Sequence, residues 1–393
     1  MARGARESAA SESSAPDRQC PVDGVQPGKY TGKADKKNMN ALGKKVLAGG
    51  RLTTAEARTL YNEGSLHELG MLANEIRKQL HPDPVVTYVI DRNINYTDIC
   101  ISACKFCAFY KSPEDNTGTV ISFEELGSKI RETLDLGGTQ ILLQGGLHPD
   151  KPLEFYEEML RYIKTFNIHV HGFSPPEICH FANLSHLSIR QVLTRLQRAG
   201  LDSIPGGGAE ILVDRVRATA SPRKCSADEW IGVMEEAHNL GMRTTATMMF
   251  GHIETIEERL EHLDRIRTLQ DRTGGFTAFI PWPFQPDNTA LAHLPKASGY
   301  SYLKMLAISR SFLDNIANIQ ASWVTQGPKI AQISLFFGAN DFGSTMIEEN
   351  VVAAAGVSFR LSEAEIRRLV EGAAFVPQQR RMDYSFVGAD GQA

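Results

Sequence analysis

Three cysteines lie within one short segment, Cys100-Ile-Ser-Ala-Cys104-Lys-Phe-Cys107. Thiolates are soft ligands that select zinc, copper(I) or iron–sulfur clusters. A structural zinc site is normally completed by a fourth cysteine or a histidine a short distance away, and neither stands beside this triplet. A four-iron, four-sulfur cluster on three cysteines instead keeps one iron open for another ligand. The spacing therefore predicts such a cluster, and a zinc-stabilised binding scaffold without chemistry is the alternative.

The triplet follows an apolar stretch, residues 85–90, whose composition predicts a β-strand. A cysteine loop of this spacing after a strand, with Phe106 before the third cysteine, resembles the radical S-adenosylmethionine (radical SAM) superfamily. The resemblance implies a [4Fe-4S] cluster on Cys100, Cys104 and Cys107, with S-adenosylmethionine on the open iron and its adenine near Phe106. It also implies that reductive cleavage of this cofactor gives a 5'-deoxyadenosyl radical, which abstracts a hydrogen atom from the substrate.

The remaining pattern predicts the fold that would position this loop. The chain has 393 residues, and a barrel of alternating strands and helices needs about 250. From residue 85 onward short apolar runs alternate with amphipathic stretches, which predicts βα units and a parallel sheet. The further predicted strands are residues 140–144, 168–173, 244–249 and 276–280. We therefore expect an α/β fold, a full or partial radical SAM (β/α) barrel with helical extensions at both ends of the chain.

Four regions follow from this pattern. Residues 1–37 are polar and predict a disordered tail, and residues 38–84 predict a helical extension covering one end of the barrel. Residues 85–340 form the predicted barrel core, and residues 341–393 a helical extension and tail. Capping patterns mark several helix starts: Thr53 with Glu56, Ser122 with Glu125, Ser226 with Glu229, Thr255 with Glu258, and Ser362 with Glu365.

The composition excludes several classes of function. The formal net charge is -4, with acidic and basic residues interspersed, so nothing favours binding to nucleic acid or an anionic membrane surface. No apolar run approaches the roughly 18 residues of a membrane span, and the first residues lack the apolar core of a signal peptide. Cys20, Cys179 and Cys225 are scattered singly, as in a reducing compartment. We expect a cytoplasmic protein.

The loops after the predicted strands supply candidate ligands for the cofactor. Gln144-Gly145-Gly146 stands where the resemblance implies a glycine-rich motif whose backbone carbonyls hold the methionine ammonium. Glycine permits a close approach of the backbone to a ligand, although a simple turn also explains both glycines. Leu147 stands where an acidic residue often follows the motif, so a side-chain contact is not expected there.

Three polar residues on later loops extend this candidate site. Ser174 and Glu177 end the third predicted strand, where they can bind the ribose hydroxyls of the cofactor. Glu210 lies beside the glycine run of residues 206–208 and is a second carboxylate at a strand end. A helix cap or a plain surface position explains each carboxylate equally well.

Longer strings resemble one branch of the superfamily, the menaquinone and deazaflavin biosynthesis group, over roughly residues 40–380. The strings span residues 93–100, 204–211, 247–255, 280–289 and 337–350. Within the branch, the cluster loop and the Trp282-Pro-Phe-Gln-Pro segment favour the cyclases that act on dehypoxanthine futalosine. Aminofutalosine synthases and the deazaflavin chromophore synthases share the Gly-x-Asn-Asp string and are the alternative.

The resemblance implies a specific reaction. A hydrogen atom leaves C4' of the substrate ribose, the carbon radical adds to the neighbouring carboxyphenyl ring, and loss of an electron and a proton restores aromaticity. An electron donor such as flavodoxin or ferredoxin would start turnover. Aromatic residues near Phe250, Trp282 and Phe284 are suited to excluding water, although such residues are also ordinary barrel core.

The departing proton requires a base within hydrogen-bond reach. Asp287 and His252 rank first as candidates because they lie in the strings that set this branch apart, and Glu210 and Asp341 are further candidates. A single histidine is more often structural than catalytic.

Overall fold

The computed structural model describes residues 33–388 and, from residue 40 onward, their side chains. The strands are β1 Val85–Val89, β2 Asp91–Asn95, β3 Gln140–Gln144, β4 His169–Gly172, β5 Ser203–Ile204, β6 Arg243–Phe250, β7 Phe276–Pro283, β8 Asn318–Ile319, β9 Asp341–Ser344 and β10 Val376–Gln379. The helices are α1 Lys33–Leu47, α2 Thr54–Glu63, α3 Leu66–Leu80, α4 Phe123–Asp135, α5 Leu153–Lys164, α6 Pro175–Ser185, α7 Ile189–Ala199, α8 Asp214–Ala220, α9 Ala227–Asn239, α10 Ile256–Thr273, α11 Gly299–Phe312, α12 Trp323–Ser334, α13 Val351–Ala354 and α14 Glu363–Gly372. No helix of this described part is long and apolar enough to cross a membrane.

Strands β2 to β8 form one parallel sheet in chain order. A second parallel sheet has the order β10-β1-β9. Strand β9 links the two sheets, since it pairs with β1 and forms a bridge between Asp341 and Gln320, just after β8. Only Ile90 separates β1 from β2, so the strands follow one another around a curled sheet. The predicted α/β barrel fold is confirmed.

The strand that leads into the cysteine loop differs from the one predicted. The apolar residues 85–89 form β1, which pairs with β9 and β10, whereas β2 is polar and pairs with β3. Side chains alternate between the two faces of a strand, and those of Asp91 and Asn93 line a polar cavity inside the barrel. Arg92, on the opposite face, forms a salt bridge with Glu132 of α4. Because the inward face of β2 is polar, its sequence has no apolar run, and β2 was not predicted as a strand.

The N-terminal helices precede the first strand, as predicted, but they pack on the side of the barrel. Helix α3 contacts α11, and α2 contacts both α10 and α11. Their buried faces include Leu60 and Leu69, which accounts for this packing. Of the predicted disordered tail, residues 1–32 lie outside the described residues. Residues 33–37 instead form the first part of α1. They contain no proline or glycine and favour a helix, so they extend it toward the N-terminus.

The C-terminal region is not the purely helical extension that we predicted. Helix α14 is present and capped by Ser362 as expected, and the other four predicted caps are also observed. However, β9 and β10 lie on either side of β1. The sequence of β10, Val-Pro-Gln-Gln, lacks an apolar alternation because it is an edge strand, where proline is tolerated.

A buried ion pair joins β9 to the residue that follows β10, across β1. Two nitrogens of the Arg380 guanidinium donate to the carboxylate of Asp341, and the Thr87 hydroxyl donates to it at 2.6 Å. Arg380 is 5% exposed and Asp341 is fully buried. Because each charge is shielded from water, each depends on the other for compensation.

We predict that Arg380→Met destabilises the protein by about 3–5 kcal/mol, because it leaves the Asp341 charge buried without a partner. The double variant Arg380→Met/Asp341→Asn removes both charges and should lose less. Anaerobic urea unfolding of the two variants and the unmodified protein measures the difference. A double variant less stable than Arg380→Met would contradict this account.

Candidate active site

Most of the predicted site residues meet at one cavity of about 250 Å3 at the carboxyl ends of the strands. We call it the outer cavity. Its wall includes ten of these residues, from four loops that are far apart in the sequence: Cys100, Cys104, Phe106, Cys107, Gln144, Gly145, Gly146, Ser174, Glu177 and Glu210.

The cysteine loop presents thiols that fit an iron–sulfur cluster. The sulfur of Cys100 accepts hydrogen bonds from the backbone amides of Ser102 at 3.4 Å and Leu147 at 3.3 Å. Burial raises the pKa of Cys104 to about 11 and also raises that of Cys107, so metal binding must displace their protons. Among the described residues no three metal-binding side chains converge on a single ion. A cubane does not require such convergence, because each thiolate binds a different iron.

The two glycines after β3 allow its loop to lie against the cysteine loop. A Cβ atom on Gly146 would lie 2.2 Å from the carbonyl oxygen of Ile99, and one on Gly145 would lie 2.6 Å from the ring of Tyr96. Real Cβ contacts are never this short, so both positions require glycine for packing. The need for glycine thus has an explanation within the chain, separate from the predicted approach to a ligand.

Glu177 is buried and joins three strand ends. One carboxylate oxygen accepts hydrogen bonds from the Tyr96 hydroxyl at 2.6 Å and the Gly145 amide at 3.1 Å, and the other accepts from the amide and hydroxyl of Ser174. Burial raises the pKa of Glu177, although these donors oppose the rise. Ser174 and Glu177 form the capping box of α6. The carboxylate therefore caps this helix, and its role as a ligand of the cofactor ribose stays a prediction.

Glu210 lies in the cavity wall with a lysine that the sequence analysis missed. The Lys224 ammonium is 3.1 Å from one carboxylate oxygen of Glu210 and 5.0 Å from the centre of the Phe106 ring. The backbone of Glu210 adopts a left-handed conformation with φ of 37°. Such strain in a residue other than glycine often marks a functional position. Lys224 belongs to no motif. The adjacent Arg223 indicates a basic loop but gives no sign of a ligand-binding role.

A second cavity, of about 280 Å3, lies inside the barrel, and we call it the inner cavity. It joins the outer cavity, since both walls include Gln144, Glu210 and Trp282. Its wall includes the polar side chains of Asn93, Gln140 and Glu210. Amide and carboxylate oxygens accept hydrogen bonds, so the inner cavity suits a ligand that carries hydrogen-bond donors.

The two first-ranked base candidates lie outside the walls of both cavities. The imidazole of His252 faces the protein, with Nε2 3.1 Å from the carbonyl oxygen of Met249 and Nδ1 3.3 Å from Glu254. Asp287 is about half exposed and pairs with Lys296 at 2.6 Å. Asp341, a further candidate, lines neither wall and is paired with Arg380. The strings that identify the branch do not reveal where a side chain points, so the roles of these side chains as bases stay predictions that the cavity geometry does not favour.

Apolar side chains close one side of the outer cavity. Phe106, Trp282, Phe284 and Met249 all lie in its wall and belong to a small apolar cluster separate from the main core. Phe250, which we grouped with them, is instead fully buried in the core beneath the guanidinium of Arg259.

Comparison with known families matches the chain in two parts. Residues 94–266 match the radical SAM superfamily. Residues 273–392 match the CofH/MqnC C-terminal region.

Relatives of known name match nearly the whole chain. A cyclic dehypoxanthine futalosine synthase of Halalkalibacterium halodurans is 46% identical, over 89% of this chain and 95% of the relative. One of Streptomyces coelicolor is 44% identical, over 89% of each chain. A 5-amino-6-(D-ribitylamino)uracil--L-tyrosine 4-hydroxyphenyl transferase of Archaeoglobus fulgidus is 43% identical, over 82% of this chain and 94% of the relative.

Solved structures support the same fold. Methylornithine synthase (PylB) superposes with a TM-score of 0.67 at 20% identity, over 86% of this chain and 97% of that one. HydG, a maturase of the [FeFe]-hydrogenase, superposes with a TM-score of 0.70 at 16% identity, over 88% of this chain and 77% of that one. From the cysteine loop, the fold and these relatives we conclude that the chain belongs to the radical SAM superfamily, whose enzymes use a [4Fe-4S] cluster and S-adenosylmethionine.

Proposed function

We propose that this enzyme converts dehypoxanthine futalosine to cyclic dehypoxanthine futalosine in menaquinone biosynthesis. The observation that carries the proposal is the junction of the two cavities, which sets a ligand-sized space with several polar side chains in its wall next to the cavity that the cysteine loop lines. The relatives named for this activity, at 46% and 44% identity, support it.

The outer cavity would hold both cofactors. Cys100, Cys104 and Cys107 would bind three irons of the cluster. The carbonyl oxygens of Gly145 and Gly146 accept no hydrogen bond within the described residues, which leaves them for the methionine ammonium.

Other side chains of the outer cavity would each bind a different part of S-adenosylmethionine. Lys224 would bind the methionine carboxylate, beside Glu210. Phe106 offers a ring to the adenine, and Ser174 a hydroxyl to the ribose. When bound there, the cofactors supply a radical that abstracts a hydrogen atom from the substrate.

The substrate would enter the inner cavity, whose wall includes the polar side chains of Asn93, Gln140 and Glu210 as candidate partners for its ribose hydroxyls. The rings of Trp282 and Trp323 lie in the same wall and suit the carboxyphenyl group. These contacts would orient C4' toward the aromatic ring, and the apolar side chains that exclude water would protect the carbon radical. An electron donor such as flavodoxin or ferredoxin would start turnover.

The alternative is a sibling activity of the same branch. Relatives named as the tyrosine 4-hydroxyphenyl transferase reach 43% identity, close to the values for the cyclases. An anaerobic assay decides between them. Protein reconstituted with iron and sulfide is incubated with S-adenosylmethionine, a reductant and either dehypoxanthine futalosine, or tyrosine with the ribitylaminouracil. We expect 5'-deoxyadenosine and the cyclised product together, from the first substrate only. Product from the second alone would contradict the proposal.

We predict that replacing Cys100, Cys104 or Cys107 by Ala abolishes the brown cluster absorbance and the cleavage of S-adenosylmethionine, because each thiolate holds one iron. Cys179→Ala and Cys225→Ala serve as matched controls and should retain both. If either control lost the cluster, a fourth cysteine would close the site and the radical chemistry would be excluded. A colourless protein containing only zinc would support the binding-scaffold alternative.

We predict that Lys224→Met weakens S-adenosylmethionine binding by roughly 30-fold or more, since losing a buried charged partner costs at least about 2 kcal/mol. Cluster absorbance should be unchanged. Equilibrium binding to the cluster-loaded protein measures the effect, with Lys296→Met as a control on an exposed lysine. Equal affinity in Lys224→Met and the unmodified enzyme would move the carboxylate site elsewhere.

A further inference from the structure

One acidic side chain of the inner cavity has no salt-bridge partner among the residues that the structure describes. Glu349 lies in the wall of this cavity, where Asn93 Nδ2 donates to one of its oxygens at 2.9 Å and the amide of Val352 donates to the other at 2.7 Å. The other carboxylates of the wall lie near basic side chains, since Glu210 pairs with Lys224 and Asp91 lies near Arg380.

The neighbouring Glu348 shows the contrast within one loop. Its carboxylate faces Lys129 at 2.7 Å and Arg92 at 3.3 Å. Glu349 is the next residue in the chain, but within the described part of the chain no basic side chain forms a salt bridge with it. Burial raises the pKa of Glu349, and the charge of Glu348 adds to the rise. A carboxylate with a raised pKa is a better proton acceptor than an ordinary one.

Glu349 also borders a second space. A further cavity of about 320 Å3 shares Glu349, Met346 and Val324 with the inner cavity, and its wall includes the exposed side chains of Phe359 and Arg360. The further cavity therefore offers a route to the surface for a proton that Glu349 receives from the inner cavity.

We propose that Glu349 is the base that removes the proton after ring closure. This inference rests on the proposed cyclase function. In that step the ring carbon that has formed the new bond loses its hydrogen as a proton to a carboxylate oxygen of Glu349. One electron passes to an oxidised iron–sulfur centre, and the ring regains aromaticity. The protonated carboxyl then releases its proton through the further cavity. Asn93 and the Val352 amide fix the direction of the carboxylate.

The test is the yield of cyclised product per 5'-deoxyadenosine in an anaerobic single turnover. Glu349→Gln keeps the shape of the side chain and one acceptor oxygen, which can retain one of the two hydrogen bonds, but it cannot take up the proton. We expect cluster absorbance, S-adenosylmethionine binding and 5'-deoxyadenosine formation to persist, while the yield falls roughly tenfold or more, as for the loss of a general base. Asp287→Asn, which removes an exposed carboxylate, should leave the yield unchanged.

The pH dependence separates a base from a positioning residue. In the unmodified enzyme the yield should fall as the pH is lowered through the pKa of Glu349, and Glu349→Gln should lack this acid limb. Glu348 faces Glu349 from the same loop, and the other ionisable groups of the wall are Asp91, His171, Glu210, Arg380 and Tyr384. None of these is altered in the variant.

The possible outcomes are distinct. An unchanged yield in Glu349→Gln, or a parallel loss of 5'-deoxyadenosine and product at a constant ratio, overturns the assignment. If Glu349→Gln does not fold, Glu349→Asp replaces it, and an acid limb that does not move also overturns the assignment. An unmodified enzyme that forms no cyclised product refutes the proposed function instead.

Discussion

The arrangement of the site depends on the buried carboxylate of Glu177. Its oxygens receive hydrogen bonds from Tyr96, Gly145 and Ser174, which follow β2, β3 and β4 respectively. Three neighbouring strand ends are thereby held at fixed positions around the outer cavity. The cysteine loop begins four residues after Tyr96, and its Cys100 sulfur accepts the amide of Leu147, two residues after Gly145. Any ligand of the cavity therefore meets a preorganised wall, and a buried acid without these donors would be costly.

Four residues other than glycine have a left-handed backbone on loops near the cavities. Ala103 in the cysteine loop, Phe173 after β4, Glu210 after β5 and Met346 after β9 all have φ values between 37° and 56°. These values are unusual for residues other than glycine, and each costs free energy that the surrounding contacts must offset. In Glu210 the offset includes the amide of Met249, which donates to its carbonyl oxygen, and the Lys224 salt bridge. The turns direct functional groups inward at the cost of local stability.

The sequence predicted the parts of the molecule that local patterns encode. Cysteine spacing identified the cluster loop, and serine or threonine followed by an acidic residue identified helix starts. The same patterns failed where the cause is tertiary. Strand β2 is polar because one face lines a cavity, β5 and β8 have two residues each, and β10 exists only as a partner of β1.

The site shows the same division between local and tertiary causes. Lys224 belongs to no motif, and the 337–350 string that contains Glu349 gives no sign of its role. The positions of both side chains depend on contacts with Glu210 and Asn93, which lie in other segments of the chain. His252 and Asp287 were ranked by the strings around them, which do not determine the direction of a side chain.

The central claim is that the two joined cavities bring a radical source and a ribose into contact. Deuterium transfer measures this contact directly. Dehypoxanthine futalosine carrying deuterium at C4' is incubated anaerobically with the reconstituted enzyme, and the 5'-deoxyadenosine is analysed by mass spectrometry. The account predicts one deuterium in each 5'-deoxyadenosine formed during turnover. Unlabelled 5'-deoxyadenosine, formed at the same rate with and without substrate, would contradict it.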